Sequence, residues 1–186
     1  MTSLAFDVLV LAISMLIGLV FLTAAVGKMR NWQQFLGVVG NYRLLPDVLI
    51  APVVYALPPL EAAVGAALLL HAGSPWPEWI AGGLLLLFAA AMAVNLRRGR
   101  REIDCGCFQS SLRQQLSWTL VLRNLAMALL IGLAGLSPPV VPDNWTLINA
   151  LLVTGVLFVL LQTLNILWSI TPAWRRAPAA TSGVRL

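Results

Sequence analysis

Cys105 and Cys107 stand one glycine apart in Ile103-Asp104-Cys105-Gly106-Cys107-Phe108, and the chain has no other cysteine. Such a pair has no distant segment to staple, so its natural chemistry is reversible: two thiols exchanging with one local disulfide. A disulfide between residues this close departs from relaxed geometry and is correspondingly easy to reduce. The thiolate is the reactive species, and neighbouring positive charge favours it. Arg97, Arg98, Arg100 and Arg101 precede the pair and Arg113 follows it, while Glu102 and Asp104 act the other way. The plain alternative is two incidental cysteines, one of them lipidated. A structural zinc site wants four ligands, and His71 is the single histidine. No metal site, phosphate-binding glycine loop or catalytic triad is expected.

Glu61 is the second candidate. It falls in the apolar run Leu57-Pro58-Pro59-Leu60-Glu61-Ala62-Ala63-Val64-Gly65. A carboxyl at membrane depth is costly unless protonated or paired, and so invites a functional reading. The competing reading is a neutral Glu61 in an interhelical hydrogen bond. On that reading Gln would preserve folding, and Leu would cost only about 1 kcal/mol. Arg123 and Asn124, with Asn95, Gln162 and Asn165, could form one polar cluster beneath the cysteines. The alternatives are a snorkelling arginine and amides that bond between helices.

The elements that must hold these residues are apolar. Of the 186 residues, 60% are hydrophobic and 10% charged, against about 25% charged in soluble domains. That composition predicts an all-α polytopic membrane bundle of about five spans, four packed and one peripheral. The spans are Leu4 to Val26, Val48 to Leu70 (broken by Pro52, Pro58 and Pro59), Trp79 to Leu96, Trp118 to Leu136 and Trp145 to Ile170. Tryptophans at 76, 79, 118, 145, 168 and 174 fall near span ends, as an interfacial belt requires. Residues 1–172 form one transmembrane domain and 173–186 a short cytoplasmic tail. Asn31 to Leu45 is too polar to span and reads as a short interfacial helix with Trp32, Phe35 and Leu36 toward lipid or the bundle. Gly65, Gly82, Gly83, Gly132 and Gly135 are expected to permit close helix packing.

The formal net charge is +5, yet this is not a nucleic-acid signal. Lys28, Arg30 and Arg43 lie between spans one and two. Arg97, Arg98, Arg100, Arg101 and Arg113 lie between spans three and four, Arg123 just inside span four, and Arg175, Arg176 and Arg185 beyond span five. Those are all 12 Lys and Arg, and all fall on one side. The positive-inside rule then puts the N-terminus outside, the C-terminus in the cytoplasm, and the cysteines on the cytoplasmic face of a bacterial inner membrane. Met1-Thr2-Ser3 lacks a basic n-region, so the first span is expected to be retained.

In order, Phe21-Leu22-Thr23-Ala24-Ala25-Val26-Gly27-Lys28, Phe35, Asn41-Tyr42-Arg43-Leu44-Leu45-Pro46, Pro59-Leu60-Glu61 with Gly65, Asp104-Cys105-Gly106-Cys107-Phe108 and Arg123-Asn124-Leu125 resemble the methylamine-utilisation MauE family, within the wider group of DoxX-like membrane proteins. The match covers nearly all of the chain, and the CGCF run is its most distinctive part. Gln109 departs from it where a glycine is expected, which weakens the case for a tight turn there. The resemblance implies a role in maturing methylamine dehydrogenase. The small subunit of that enzyme is exported, rich in disulfides and carries a quinone cofactor made from two tryptophans. It further implies a periplasmic thioredoxin-like partner, with Cys105 and Cys107 as the exchanging pair. Glu61, Arg123 and Asn124 match without an assigned role.

The expected function is thus a membrane thiol–disulfide maturation factor. It needs no bound cofactor, although a quinone is the one candidate. A cytoplasmic-side pair serving a periplasmic client requires a segment reachable from both sides in turn, or a separate relay. Two other classes remain open: a quinone-coupled thiol oxidase with Arg123 near the head group, and a non-enzymatic anchor for the thioredoxin-like partner.

Overall fold

The structure, a computed structural model, describes residues 2–70, 75–100, 116–138, 140 and 142–175, with side chains described between Leu4 and Leu167. The described residues form six helices: α1 Thr2–Arg30, α2 Trp32–Tyr42, α3 Asp47–Leu70, α4 Trp76–Arg97, α5 Trp118–Gly135 and α6 Asn144–Arg175. Among the described residues there is no strand. All helices but α2 are long and apolar enough to cross a membrane, which bears out the expected five-span all-α bundle. Cys105, Cys107, Gln109 and His71 lie outside the described residues.

Helices α1, α3, α4 and α5 enclose one core in which Ile17, Phe21, Val64, Leu68, Leu85 and Ile131 meet. The strongest pairings are α1 with α3 and α4 with α5. Helix α6 is the peripheral span. It lies along α1, where Leu11 and Met15 pack on Ala150 and the Thr154 hydroxyl donates to the Ala12 carbonyl at 3.3 Å. Only 11% of its apolar window is buried, so most of its surface faces outward, as a lipid-facing helix requires. Its start is fixed by Asp143, whose Oδ1 accepts from the Thr146 backbone N–H at 2.8 Å, an N-cap bond. Hydrogen bonds from the Thr146 hydroxyl and backbone N–H hold the Asp143 carboxyl below its usual range. That contribution is therefore present at neutral pH and lost as the pH falls through the lowered pKa.

One expectation about the elements changes. The prolines do not break the second span: α3 runs unbroken from Asp47 to Leu70 with Pro52, Pro58 and Pro59 inside it. Each proline removes one N–H donor, but in an apolar environment the remaining backbone groups find partners only within a helix. The short helix after α1 forms as expected, with Phe35 and Val38 turned into the bundle. Trp32 and Leu36 stay exposed, and Trp32 packs against Tyr55 of α3 with ring centroids 5.2 Å apart. Arg43, at φ 47°, ends α2 in the left-handed region.

The glycines divide. A Cβ on Gly65 would lie 2.8 Å from the Gly18 carbonyl oxygen, and one on Gly18 would lie 2.9 Å from that of Gly65. Helices α1 and α3 therefore cross backbone to backbone at this pair, as small residues permit in membranes. Gly135 is close to Glu78, Gly82 makes an ordinary contact, and Gly83 and Gly132 face open space, so the last two pack against nothing. Gly65→Ala should destabilise the protein by about 1–3 kcal/mol through overpacking, while Gly83→Ala should be neutral or slightly stabilising. Thermal unfolding of the two variants in one detergent checks the contrast. Equal melting temperatures would remove the tight crossing.

Candidate functional site

The tight α1–α3 crossing sets up the charged centre of the molecule. From Gly18 to Lys28, α1 advances about 15 Å, whereas Glu61 lies only about 6 Å along α3 from Gly65. A helical side chain leans back toward its own N-terminus, so the long Lys28 side chain spans the difference. Its Nζ donates to Glu61 Oε1, closing a buried ion pair. Lys28 is 6% exposed and Glu61 1%. The ammonium also lies 4.9 Å from the centroid of the Phe88 ring and 5.3 Å from that of Phe35, within the range of cation–π attraction. Glu61 Oε2 has no hydrogen-bond partner among the described residues.

This arrangement corrects the sequence reading at Lys28. That residue is not a loop cation at the membrane surface but belongs to the last turn of α1 and points into the bundle. The apolar run Phe21 to Val26 carries the helix straight through it, and its position inside a matching motif was the available signal. Glu61 is accordingly partnered by a lysine of α1.

Two spaces share the Lys28 and Phe88 side chains. The inner one, about 30 Å³, touches Glu61, Arg123 and Asn124, and has room for one water molecule. The three matching polar positions are thus brought together around one point. The outer one is an apolar chamber of about 260 Å³ between α2, α3 and α4.

The expected polar cluster divides. Arg123 Nη1 donates to Asn165 Oδ1 at 2.7 Å and Asn165 Nδ2 to Gln162 Oε1 at 3.5 Å, joining α5 to α6. Asn124 and Asn95, both buried, turn back on their own helices and donate to the Leu120 and Ala91 carbonyls. Asn95 is not joined to the others, because its amide is used within α4. Sequence reasoning missed Glu78, in the first turn of α4. It is 8% exposed and accepts from Ser14 Oγ at 3.5 Å. A helix N-terminus favours a carboxylate there.

The described basic residues Arg43, Arg98 and Arg100 gather at one end of the bundle. Arg98 Nη1 donates to the Arg43 carbonyl at 3.3 Å and Arg100 Nη1 to that of Asn41 at 3.5 Å. These bonds tie the C-terminal end of α4 to α2. On the far side of residues 101–115, Leu116 is buried against Leu96 and Leu120. The described residues flanking positions 101–115 are therefore held at the end of the bundle where α2 lies.

Residues 6–137 match the family model described as methylamine utilisation protein MauE. The chain belongs to the MauE family. Among its relatives, the methylamine utilization protein MauE of Paracoccus denitrificans is 44% identical over 136 residues, 73% of each chain. That of Paracoccus versutus is 37% identical over 165 residues, 88% of each chain. That of Methylorubrum extorquens is 42% identical over 121 residues, 64% of this chain and 65% of its relative. No solved structure matches. The fold of this MauE-family chain places Lys28, Glu61, Arg123 and Asn124, all within the matched range, around one buried point.

Proposed function

We propose that this chain is a membrane thiol–disulfide exchanger serving methylamine utilisation. Cys105 and Cys107 form its redox pair and an exported, disulfide-rich protein is its client. The methylamine dehydrogenase small subunit has the chemistry of such a client. The observation that carries the reading is the Cys-Gly-Cys pair in a MauE-family chain with no other cysteine.

In the exchange, one thiolate attacks a disulfide of the client or of a periplasmic thioredoxin-like partner. This forms a mixed disulfide and releases a partner thiolate. The second cysteine then attacks the first. It closes the local disulfide and frees the partner as a dithiol. The reverse sequence oxidises a client dithiol and leaves the local pair reduced. Atoms and electrons balance in either direction without a further reagent. The described residues on either side of the pair, Arg98 and Arg100 before it and Leu116 after it, are held to the bundle. Arg98 and Arg100 bond to the end of α2, which also forms one wall of the chamber beside Lys28.

Thiol trapping tests the exchange. Membranes are treated with oxidant or mild reductant, quenched in acid and alkylated with a mass tag. Both cysteines should change state together. Two thiols that stay free under oxidant would refute an exchanging pair.

The one-sided basic residues support a bacterial inner-membrane protein with its N-terminus outside, its C-terminus in the cytoplasm and the cysteines on the cytoplasmic side, so exchange with a periplasmic partner requires the cysteines to be reached from both sides in turn. A phosphatase fused after Leu186 should then be inactive and a cytoplasm-dependent reporter active. The opposite pattern would invert the topology.

A further inference from the structure

We infer that the apolar chamber is a binding site for an uncharged, lipid-soluble ring compound of the quinone type, whose carbonyl oxygen accepts a hydrogen bond from Lys28. The walls come from α2, α3 and α4, with Phe35, Tyr42 and Phe88 among them, and among the described residues Lys28 is the one charged residue that lines the space. An ammonium has three N–H donors. Among the described residues one is used, on Glu61, and the ammonium also lies over the faces of Phe35 and Phe88. A face attracts the cation but is no hydrogen-bond acceptor of ordinary strength. The buried ammonium therefore has donor capacity to spare where it meets the chamber.

Charge selects the head group. Lys28 and Glu61 already neutralise one another, so a carboxylate or phosphate would bring an uncompensated charge into a buried site. A carbonyl accepts from the ammonium and adds no charge. Size selects the body. A cavity of 150 Å³ holds benzene, and about 260 Å³ suits one substituted ring, whereas a two-chain lipid does not fit. The aromatic walls match a flat ring. Leu44 and Leu87 line the chamber and are exposed, Leu87 at 59%. They mark a mouth through which an apolar tail passes into the bilayer. This places the head group at Lys28, on the α2 side of the bundle, and not at Arg123. Binding does not depend on whether Cys105 and Cys107 exchange, so the two readings can fail separately.

The test titrates a benzoquinone bearing one isoprenyl unit into the full-length protein, purified in detergent and freed of endogenous lipid-soluble redox compounds. Calorimetry should show saturable one-to-one binding. Ala91→Phe, which fills the chamber from α4, should weaken binding at least about tenfold, with the wild-type melting temperature retained. If that variant does not fold, Val39→Phe fills the space from α2 and should do the same. Oleate at equal concentration should not displace the quinone. Absent saturation, an unaffected affinity in a folded filling variant, or displacement by oleate would each overturn the assignment.

Discussion

Lys28→Met made alone is expected to lower folding stability by about 3–5 kcal/mol, the cost of breaking a buried ion pair from one side. The substitution keeps length and volume but leaves Glu61, 1% exposed, without its cation. Glu61→Leu should cost a similar amount by stranding the ammonium. Glu61→Gln should also destabilise, since an amide cannot neutralise Lys28. These expectations replace the figure of about 1 kcal/mol that fits a neutral interhelical hydrogen bond. The double variant Lys28→Met/Glu61→Leu should recover most of the loss, because two apolar side chains of similar volume can replace a buried pair at little cost. The four proteins form a double-mutant cycle in which the coupling should be favourable and well above 0.5 kcal/mol. Reversible unfolding in detergent measures it. Additive losses would mean that the two side chains are not energetically paired. The cycle also separates structure from function. A double variant that folds like the parent but no longer supports client maturation would give the pair a role beyond holding α1 to α3.

Replacing both Cys105 and Cys107 by Ser should abolish maturation of the client while leaving the helices and their unfolding unchanged. Serine keeps the size of the side chain and removes only the thiol. Each single serine variant should also fail, in a different manner. One thiol can still attack a disulfide but has no partner to resolve the mixed species, so a covalent adduct with client or partner should accumulate. The cysteine whose retention traps that adduct is the attacking one. Maturation assayed in cells, with non-reducing gels for the adduct, reads both outcomes. A double-serine protein that supports maturation in full would refute the exchanger and leave a membrane anchor for the partner protein as the function.

Much of this architecture is legible in the sequence because lipid imposes a strong local rule. Every backbone polar group must be satisfied within its own segment, so an apolar run of sufficient length is a helix. The five spans and the short interfacial helix Trp32–Tyr42 follow from composition and length, whereas packing alone identifies α6 as the peripheral span. The same rule overrides proline, which is why α3 continues through Pro52, Pro58 and Pro59 where local propensity suggests a break. Glu61 is visible as an acid in the wrong solvent, and the cysteine pair stands out by spacing alone.

Partnership was decided only in three dimensions. Which cation neutralises Glu61 depends on how far α1 and α3 slide past one another. The contact between Gly18 and Gly65 fixes that slide, and it joins residues 47 positions apart. Charge counting along the chain assigned Lys28 to the surface because a lysine one turn beyond an apolar run has the same composition whether it points out or in. The rotation of α1, and the backward lean of a helical side chain, send it inward to Glu61. The split of the polar cluster has the same origin. Arg123 and Asn124 are adjacent in sequence but about 100° apart around α5, so one reaches Asn165 on α6 while the other is buried in the bundle. The sequence determined which residues are out of place in lipid. Helix packing decided which of them meet, because span formation is local and side-chain pairing is not.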